Sequence, residues 1–222
     1  MADELITVAL PKGRMLEDSL GLFLAIGAQG VVNLRDSRRL IWDDASSGLR
    51  FLLLRAIDVP TYVEHGVSDL GIAGKDVLME QSKDVYELLD LGFGFCRLVV
   101  AEPQGLQGGG VRQGGDRSCS YLRVATKYPN ITERHFGQKG IQVEVVKLYG
   151  SIELAPLAGL AERIVDLVSS GQTLAENGLV EVEEIMKVTA RLIVNRASLK
   201  TKYSRIKGLI DRLAREVKAL RG

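Results

Sequence analysis

The chain has 222 residues, of which 46% are hydrophobic, so it is long and apolar enough to bury a core in one large domain or two small ones. Its 29 basic and 28 acidic residues nearly cancel, so no global field argues for nucleic acid or a membrane surface as a partner. The first residues are acidic where a secretion signal is basic, and Arg97 interrupts the apolar stretch between Phe93 and Val100. We therefore expect a cytoplasmic protein without a signal peptide or a membrane span.

The first half of the sequence alternates short apolar runs with helical patterns. The runs ITVAL, FLLLRA, DLGIA and CRLVVA are strand-like, and a helix is predicted near Met15–Ile26. The segment 104–118 is rich in glycine, but its spacing fits neither G-x-G-x-x-G nor the Walker motif, so we predict an exposed, flexible connector there. Strands and helices that alternate in this way are typical of an α/β fold.

The second half resumes the alternation. The runs YLRVATK and IQVEVVKLY flank a helix that Asn130 is predicted to open, with Glu133 as its capping partner. The run EVEEIMKVTARLIVN is predicted to be extended. A terminal helix follows, and its apolar positions share one face: Ile206, Leu209, Ile210, Leu213, Val217 and Leu220. Its many basic residues are interpreted as a solvated outer face rather than as an anion site.

The segment Asp166–Leu174 predicts a buried strand that ends in a small, hydroxyl-rich turn and then enters a helix. Such a turn suits a phosphate, because the first N–H groups of a helix lack partners and glycine lets the backbone approach a ligand. The predicted phosphate ligands are Ser169, Ser170, Gly171, Gln172 and Thr173. An ordinary helix cap is the commoner explanation of a lone S-G-x-T motif. Asp166 at the strand end favours the phosphate, because its carboxylate suits the hydroxyls of a ribose.

Candidate ligand-binding residues lie at the ends of three strand-like runs of the first half. Lys12, Gly13 and Arg14 follow the first run, Arg55 ends another, and Asp76 lies in the Gly-Lys-Asp turn after DLGIA. Turns at the carboxyl ends of strands are where open α/β sheets bind ligands. For Arg55, an ion pair with Asp58 or Asp76 is an equally good explanation. Glu153 is predicted at the start of a short helix near the phosphate turn, either as a ligand or as a cap partner.

The sequence offers groups that hold charged ligands but no activated nucleophile. It shows no Ser-His-Asp or Cys-His spacing and no HExxH motif. His65 and His135, and the widely spaced Cys96 and Cys119, are interpreted as structural, with both thiols reduced. We therefore expect a reaction in which the substrates supply the reacting atoms while the protein supplies position and charge.

The chain resembles the short form of the ATP phosphoribosyltransferase family, the first enzyme of histidine biosynthesis. The family signature around the phosphate turn is matched by Glu153, Gly159, Ala161, Ile164, Asp166, Ser170, Gly171, Thr173 and Leu174. Further matches are LPKGR, RAIDVPTYVEHGVSDLGIAGKD, LLDLGFGFCRLVVAEP, RVATKYPNIT and TARLIVNRAS, so the resemblance covers nearly the whole chain except the Gly-rich segment. Glu162-Arg163 departs from the residues expected before the Ile-Val-Asp run.

The resemblance implies an α/β fold with two lobes of the periplasmic-binding-protein type II kind around a central cleft. The chain is expected to cross between them near Val99 and Asn195, so that residues 1–98 and 195–222 form the ATP and polyphosphate lobe and residues 99–194 the phosphoribosyl pyrophosphate lobe. The short form lacks the histidine-binding domain of its longer relatives. The resemblance therefore implies a separate regulatory subunit related to histidyl-tRNA synthetase, with a homodimer of this chain inside a hetero-oligomer.

The implied reaction is attack of adenine N1 of ATP on the anomeric carbon of phosphoribosyl pyrophosphate, which releases pyrophosphate. On this view the 5-phosphate lies on residues 169–173, and Asp166 and Glu153 hold the ribose. The cations expected to bind polyphosphate are Lys12, Arg14 and Arg55. Magnesium is expected on substrate oxygens, without a dedicated protein cage. The rival expectation from the same fold is a non-catalytic two-lobed binding or sensor module, and another phosphoribosyltransferase is a third.

Overall fold

The computed structural model describes residues 5–34, 39–105 and 121–221. Its helices and strands, in chain order, are β1 (Ile6–Pro11), α1 (Leu16–Ala25), a 3-10 helix (Gln29–Leu34), β2 (Ile41–Asp44), β3 (Leu49–Leu54), α2 (Val59–Glu64), β4 (Leu70–Gly74), α3 (Lys75–Gln81), β5 (Tyr86–Asp90), β6 (Cys96–Pro103), β7 (Leu122–Thr126), α4 (Pro129–Gln138), β8 (Val143–Lys147), α5 (Leu154–Leu157), β9 (Arg163–Val168), α6 (Gln172–Glu176), β10 (Leu179–Val188), β11 (Ala190–Val194), α7 (Arg196–Thr201) and α8 (Tyr203–Arg221). The order confirms the predicted α/β class.

The chain divides into two compact units. The first comprises Met1–Phe95 and Thr189–Gly222, and the second is Cys96–Val188. The crossings therefore differ from those expected near Val99 and Asn195. Each one precedes a strand, because β6 pairs along its length inside the second sheet and β11 pairs inside the first.

The first unit is built on a six-stranded sheet with the order β2-β3-β1-β4-β11-β5. The central strand β1 runs parallel to both β3 and β4, so the carboxyl ends of these three strands lie at one edge. Helix α8 buries the positions that its apolar spacing predicted, Ile206, Leu209, Leu213 and Val217, in the core of this unit. Leu220 is 77% exposed, contrary to prediction, because it lies in the last turn beyond the buried stripe.

The second unit is built on a five-stranded sheet with the order β10-β6-β9-β7-β8. Strand β7 is parallel to β8 and β9, whereas β6 is antiparallel to β9 and β10. The extended run EVEEIMKVTARLIVN is therefore two strands in two different sheets, with the crossing at Thr189 between them. The sequence pattern of consecutive extended residues could not show this division.

The start of α4 differs from the prediction made from the sequence. Helix α4 begins at Pro129, so Asn130 lies inside its first turn rather than capping it. Proline suits this position because the N–H it lacks has no intrahelical partner there.

The segment 104–118 lies outside the described residues apart from Gln104 and Gly105, and so does Cys119. Cys96 is buried. Among the described helices, none has the length and apolar character needed to span a bilayer.

Candidate active site

A pocket of about 150 Å³ lies at the carboxyl end of β9 in the second unit. It is lined by Glu153, Asp166, Leu167, Val168, Ser169, Ser170, Gly171, Thr173 and Leu174. The two predicted carboxylates and most of the predicted phosphate turn thus face one cavity. Glu153 comes before β9 begins and the turn comes after it ends, and the fold of this unit brings them together.

The turn after β9 has the geometry that a bound anion needs. Gly171 has φ +81°, a left-handed conformation that favours glycine, and α6 begins directly after it. A hydrogen bond from the Ala175 N–H to the Gly171 carbonyl at 3.1 Å closes the first turn of α6. The N–H groups before Ala175 therefore precede the intrahelical ladder. Because α6 has only five residues, local N–H groups and hydroxyls, rather than a long helix dipole, are what this turn offers an anion.

Gln172 is the one predicted phosphate ligand that does not line the pocket within the described residues. Its side-chain amide donates to Glu176 Oε1 at 2.7 Å along the exposed side of α6. Its backbone N–H donates to Ser170 Oγ at 3.4 Å, a long hydrogen bond that a stronger acceptor would displace readily. Only the backbone of Gln172 is therefore placed to take part in the turn.

An apolar cluster holds both sides of the pocket in place. Val168 and Leu174, on either side of the turn, are each 5% exposed, and Ile152, next to Glu153, is fully buried in the same cluster. Burying such side chains contributes about 1.5 to 3 kcal/mol each, so neither rim can move without losing core contacts. The exposed serines of the turn are carried on this rigid base.

Glu153 is the N-cap residue of α5, as its sequence position predicted, but its side chain makes no capping hydrogen bond. The cap-partner alternative is therefore not met. Its half-buried side chain lines the pocket together with the half-buried side chain of Asp166. Asp166 Oδ1 accepts the Leu167 N–H at 2.8 Å, which fixes one side of its carboxylate at the strand end.

The first unit places the predicted cations at the carboxyl ends of two parallel strands. Lys12, Gly13 and Arg14 follow β1, and Arg55 follows β3. The Lys12 N–H donates to the Leu54 carbonyl at 2.7 Å, which continues the ladder and sets Lys12 beside Arg55. All four residues are exposed, and Gly13 has φ +94°. The structure thus brings these predicted residues together along one edge of the sheet.

Arg55 has no structural partner of the kind considered from the sequence. Its side chain is exposed and, across the described ranges, forms no ion pair with Asp58 or Asp76. Asp76 itself is only 6% exposed, in the first turn of α3. A Cβ on Gly74 would lie 2.2 Å from Asp76 Oδ1, so the absence of a side chain at Gly74 makes room for this buried carboxylate. A substrate contact for Asp76 stays a prediction.

Glu162, the departure from the family pattern, joins two strands outside the pocket. Its carboxylate accepts the Arg123 N–H at 2.8 Å and the Arg123 guanidinium at 2.6 and 3.2 Å. Burial alone would raise the pKa of Glu162, but the hydrogen bonds from Arg123 outweigh it and hold that pKa below its ordinary value. The pair ties the start of β9 to β7 and so supports the site indirectly.

Sequence reasoning missed one cation at the edge of the second sheet. Lys127 directly follows β7, the parallel neighbour of β9, and its side chain is exposed. The signal available was its place after the apolar run YLRVAT. That signal gains meaning only when the order of the strands in the sheet is known.

Comparisons with known proteins show which family the chain belongs to. The model of the family described as HisG, ATP phosphoribosyltransferase, matches residues 55–215, which is more than half of the chain. This chain belongs to the ATP phosphoribosyltransferase family. It is 58% identical over 214 residues to an ATP phosphoribosyltransferase of Geobacter metallireducens, covering 96% of this chain and 99% of that one. It is 60% identical over 210 residues to an ATP phosphoribosyltransferase of Syntrophotalea carbinolica, covering 95% and 94%.

Two solved structures share the fold of this chain. The ATP phosphoribosyl transferase (HisG:HisZ) complex from Thermotoga maritima contains a chain with a TM-score of 0.81 and 31% identity, covering 97% of this chain and all of that one. The periplasmic aliphatic sulphonate binding protein SsuA from Escherichia coli has a TM-score of 0.56 at 14% identity, covering 98% of this chain and 69% of that one. The second likeness concerns the fold alone. The two-lobed type II fold and the family resemblance predicted from the sequence are thus confirmed.

Proposed function

We propose that the chain catalyses the ATP phosphoribosyltransferase reaction, the first step of histidine biosynthesis. In it a bond forms between adenine N1 of ATP and the anomeric carbon of phosphoribosyl pyrophosphate, while the bond from that carbon to pyrophosphate breaks. The observation that carries this proposal is the pocket that joins Glu153, Asp166 and the turn after β9. A sugar phosphate needs those two kinds of group side by side. The binding-module alternative has no comparable support, since the family members named above are transferases.

In this proposal the phosphate turn binds the 5-phosphate of the donor. The hydroxyls of Ser169, Ser170 and Thr173 and the N–H groups around Gly171 donate to its oxygens. Asp166 accepts hydrogen bonds from the ribose hydroxyls, with Glu153 beside it. As the leaving group departs the ribose becomes oxocarbenium-like, and the negative charge of the two carboxylates then stabilises it more than in the ground state.

The cations at the strand ends of the first unit would bind the phosphate chains of the substrates. Lys12, Arg14 and Arg55 carry charge opposite to the pyrophosphate, which gains negative charge as the bond breaks. Arg55 suits this role because its guanidinium can donate two parallel hydrogen bonds to one phosphate. Its exposure leaves the guanidinium accessible to such a ligand.

A divalent metal accompanies the substrate in this proposal, and we propose Mg²⁺. Among the described residues, no group of three or more His, Cys, Asp or Glu side chains is placed to hold a metal ion. Glu153 and Asp166 supply carboxylate oxygens in one pocket, which fits an ion held mainly by pyrophosphate and sugar oxygens with water. When bound, such an ion neutralises charge on the leaving group.

We also propose a partner and a location. A regulatory subunit related to histidyl-tRNA synthetase would bind this chain, because the structural relative from Thermotoga maritima is a HisG:HisZ complex whose matching chain covers 97% of this one. A homodimer of this chain inside that hetero-oligomer remains a prediction. A cytoplasmic location is proposed because ATP and phosphoribosyl pyrophosphate are intracellular metabolites.

The test is an assay of the purified chain with ATP, MgCl₂ and phosphoribosyl pyrophosphate, with and without the regulatory subunit of the same organism. We expect phosphoribosyl-ATP and pyrophosphate in equal amounts, and more of both when the subunit is present. Binding of phosphoribosyl pyrophosphate without any product in either mixture would favour the binding module. Consumption of phosphoribosyl pyrophosphate only with a different base would favour another phosphoribosyltransferase.

A further inference from the structure

Lys127 is a cation at the same edge of the second sheet as the pocket. It follows β7, which runs parallel to β9 with Thr126 opposite Val165. Lys127 directly follows Thr126, Asp166 directly follows Val165, and adjacent strands are about 4.8 Å apart. Lys127 therefore lies at the end of the strand beside the one that carries Asp166.

The backbone on both sides of Lys127 is fixed. The Thr126 hydroxyl donates to the Val165 carbonyl at 2.7 Å and accepts the Tyr128 N–H at 2.9 Å. The Thr126 carbonyl accepts the Leu148 N–H at 2.9 Å, and Tyr128 is 9% exposed. This turn therefore presents the side chain of Lys127 from a rigid base, in the way that binding sites require.

The ammonium group of Lys127 is free to meet a ligand. Its side chain is exposed and, in the parts of the chain that the structure describes, no carboxylate is paired with it. The Lys139 ammonium, by contrast, forms an ion pair with Glu183. This lysine breaks no ion pair when it binds an anion, and its backbone is already fixed, so binding costs little additional free energy.

The negative charge of the pocket lining favours a nearby cation. Among its described lining residues the charged ones are Glu153 and Asp166, both acidic, whereas the proposed ligand carries a phosphate and a diphosphate. Like charges at short range repel, most strongly where water is displaced. A lysine at the rim would offset that repulsion without occupying the space of the sugar.

We propose that Lys127 is a further substrate-binding residue, whose ammonium binds phosphoryl oxygens of the phosphoribosyl donor seated in the pocket. This assignment rests on the proposed function. Lysine binds phosphate as a compact point charge and does not need the planar geometry of arginine, so a lysine at the rim can follow the donor as its bonds change.

The test compares Lys127→Gln and Lys127→Arg with the control Arg134→Gln, assayed in the complex with the regulatory subunit. Arg134 is exposed on α4 of the same unit, so its replacement removes the same charge away from the strand end. We expect Lys127→Gln to raise KM for phosphoribosyl pyrophosphate roughly tenfold or more, since a charged hydrogen bond is lost. KM for ATP should change less than twofold, and Lys127→Arg should recover most of the loss.

Calorimetry with ribose 5-phosphate and with inorganic pyrophosphate, each with MgCl₂, then identifies the phosphate concerned. The one that Lys127 contacts loses affinity in Lys127→Gln and keeps it in Arg134→Gln. The assignment is overturned if wild type forms product while Lys127→Gln keeps its KM for phosphoribosyl pyrophosphate within twofold, or if Arg134→Gln weakens binding equally. A wild type that forms no phosphoribosyl-ATP with its subunit would instead overturn the proposed function.

Discussion

Replacing Gly171 with alanine perturbs the backbone conformation of the phosphate turn without disturbing its packing. Gly171 has φ +81°, and a Cβ there would meet its nearest neighbour, Val168 Cγ1, at 3.9 Å, an ordinary contact. The cost of Gly171→Ala is therefore conformational, about 1 to 2 kcal/mol for a left-handed non-glycine residue. Gly178 provides the matched control, because it has φ +66°, open space around it, and a place beyond the other end of α6.

Both substitutions are expected to lower the free energy of unfolding by about 1 to 2 kcal/mol, measured by urea titration followed by far-UV circular dichroism. Only Gly171→Ala should impair catalysis, since relief of the strain turns the N–H groups of the turn away from the 5-phosphate. Losing one hydrogen bond to a charged group costs about 1.5 to 3 kcal/mol, so KM for phosphoribosyl pyrophosphate should rise roughly tenfold or more. Equal kinetics for the two variants, at equal loss of stability, would refute the role of this turn.

Three further substitutions test the remaining parts of the site. Asp166→Ala should lower kcat/KM by about a hundredfold or more, as loss of a transition-state contact does, with an unchanged circular dichroism spectrum; full activity with the regulatory subunit present would contradict its role. Arg55→Ala should lower kcat while the free energy of unfolding changes by less than about 0.5 kcal/mol, because the side chain is exposed; a large loss of stability would reveal a structural partner instead. Glu162→Gln should lower the free energy of unfolding at pH 7 by about 1 to 2 kcal/mol. Since the folded pKa of Glu162 lies below its ordinary value of 4.5, this contribution is present above pH 4.5 and is lost as the pH falls through the folded pKa. Urea titrations at pH 7 and pH 3 should therefore show a smaller difference between wild type and variant at the lower pH.

Local pattern was sufficient for the parts of the site that are contiguous in sequence. The strand, turn and helix around Gly171 were predicted because an apolar run, a small hydroxyl-rich turn and a helical pattern follow one another within a few residues. The apolar face of α8 was predicted for the same reason, since its spacing of three and four residues is a property of one helix. The role of Glu162 was not predictable, because its partner Arg123 comes from another strand.

The sequence alone determined the α/β class, the family and the chemical groups available: hydroxyls and N–H groups for a phosphate, carboxylates for a ribose and cations for a diphosphate. These depend on residue type and short-range spacing, which are complete in the chain before it folds. Only the tertiary structure decided that Glu153 and Asp166 line one pocket, that Arg55 forms no ion pair with Asp58 or Asp76, and that Lys127 follows the strand paired beside β9. The physical reason is that strand order and register bring together residues far apart in sequence, and both are set by the packing of the whole sheet rather than by any local run.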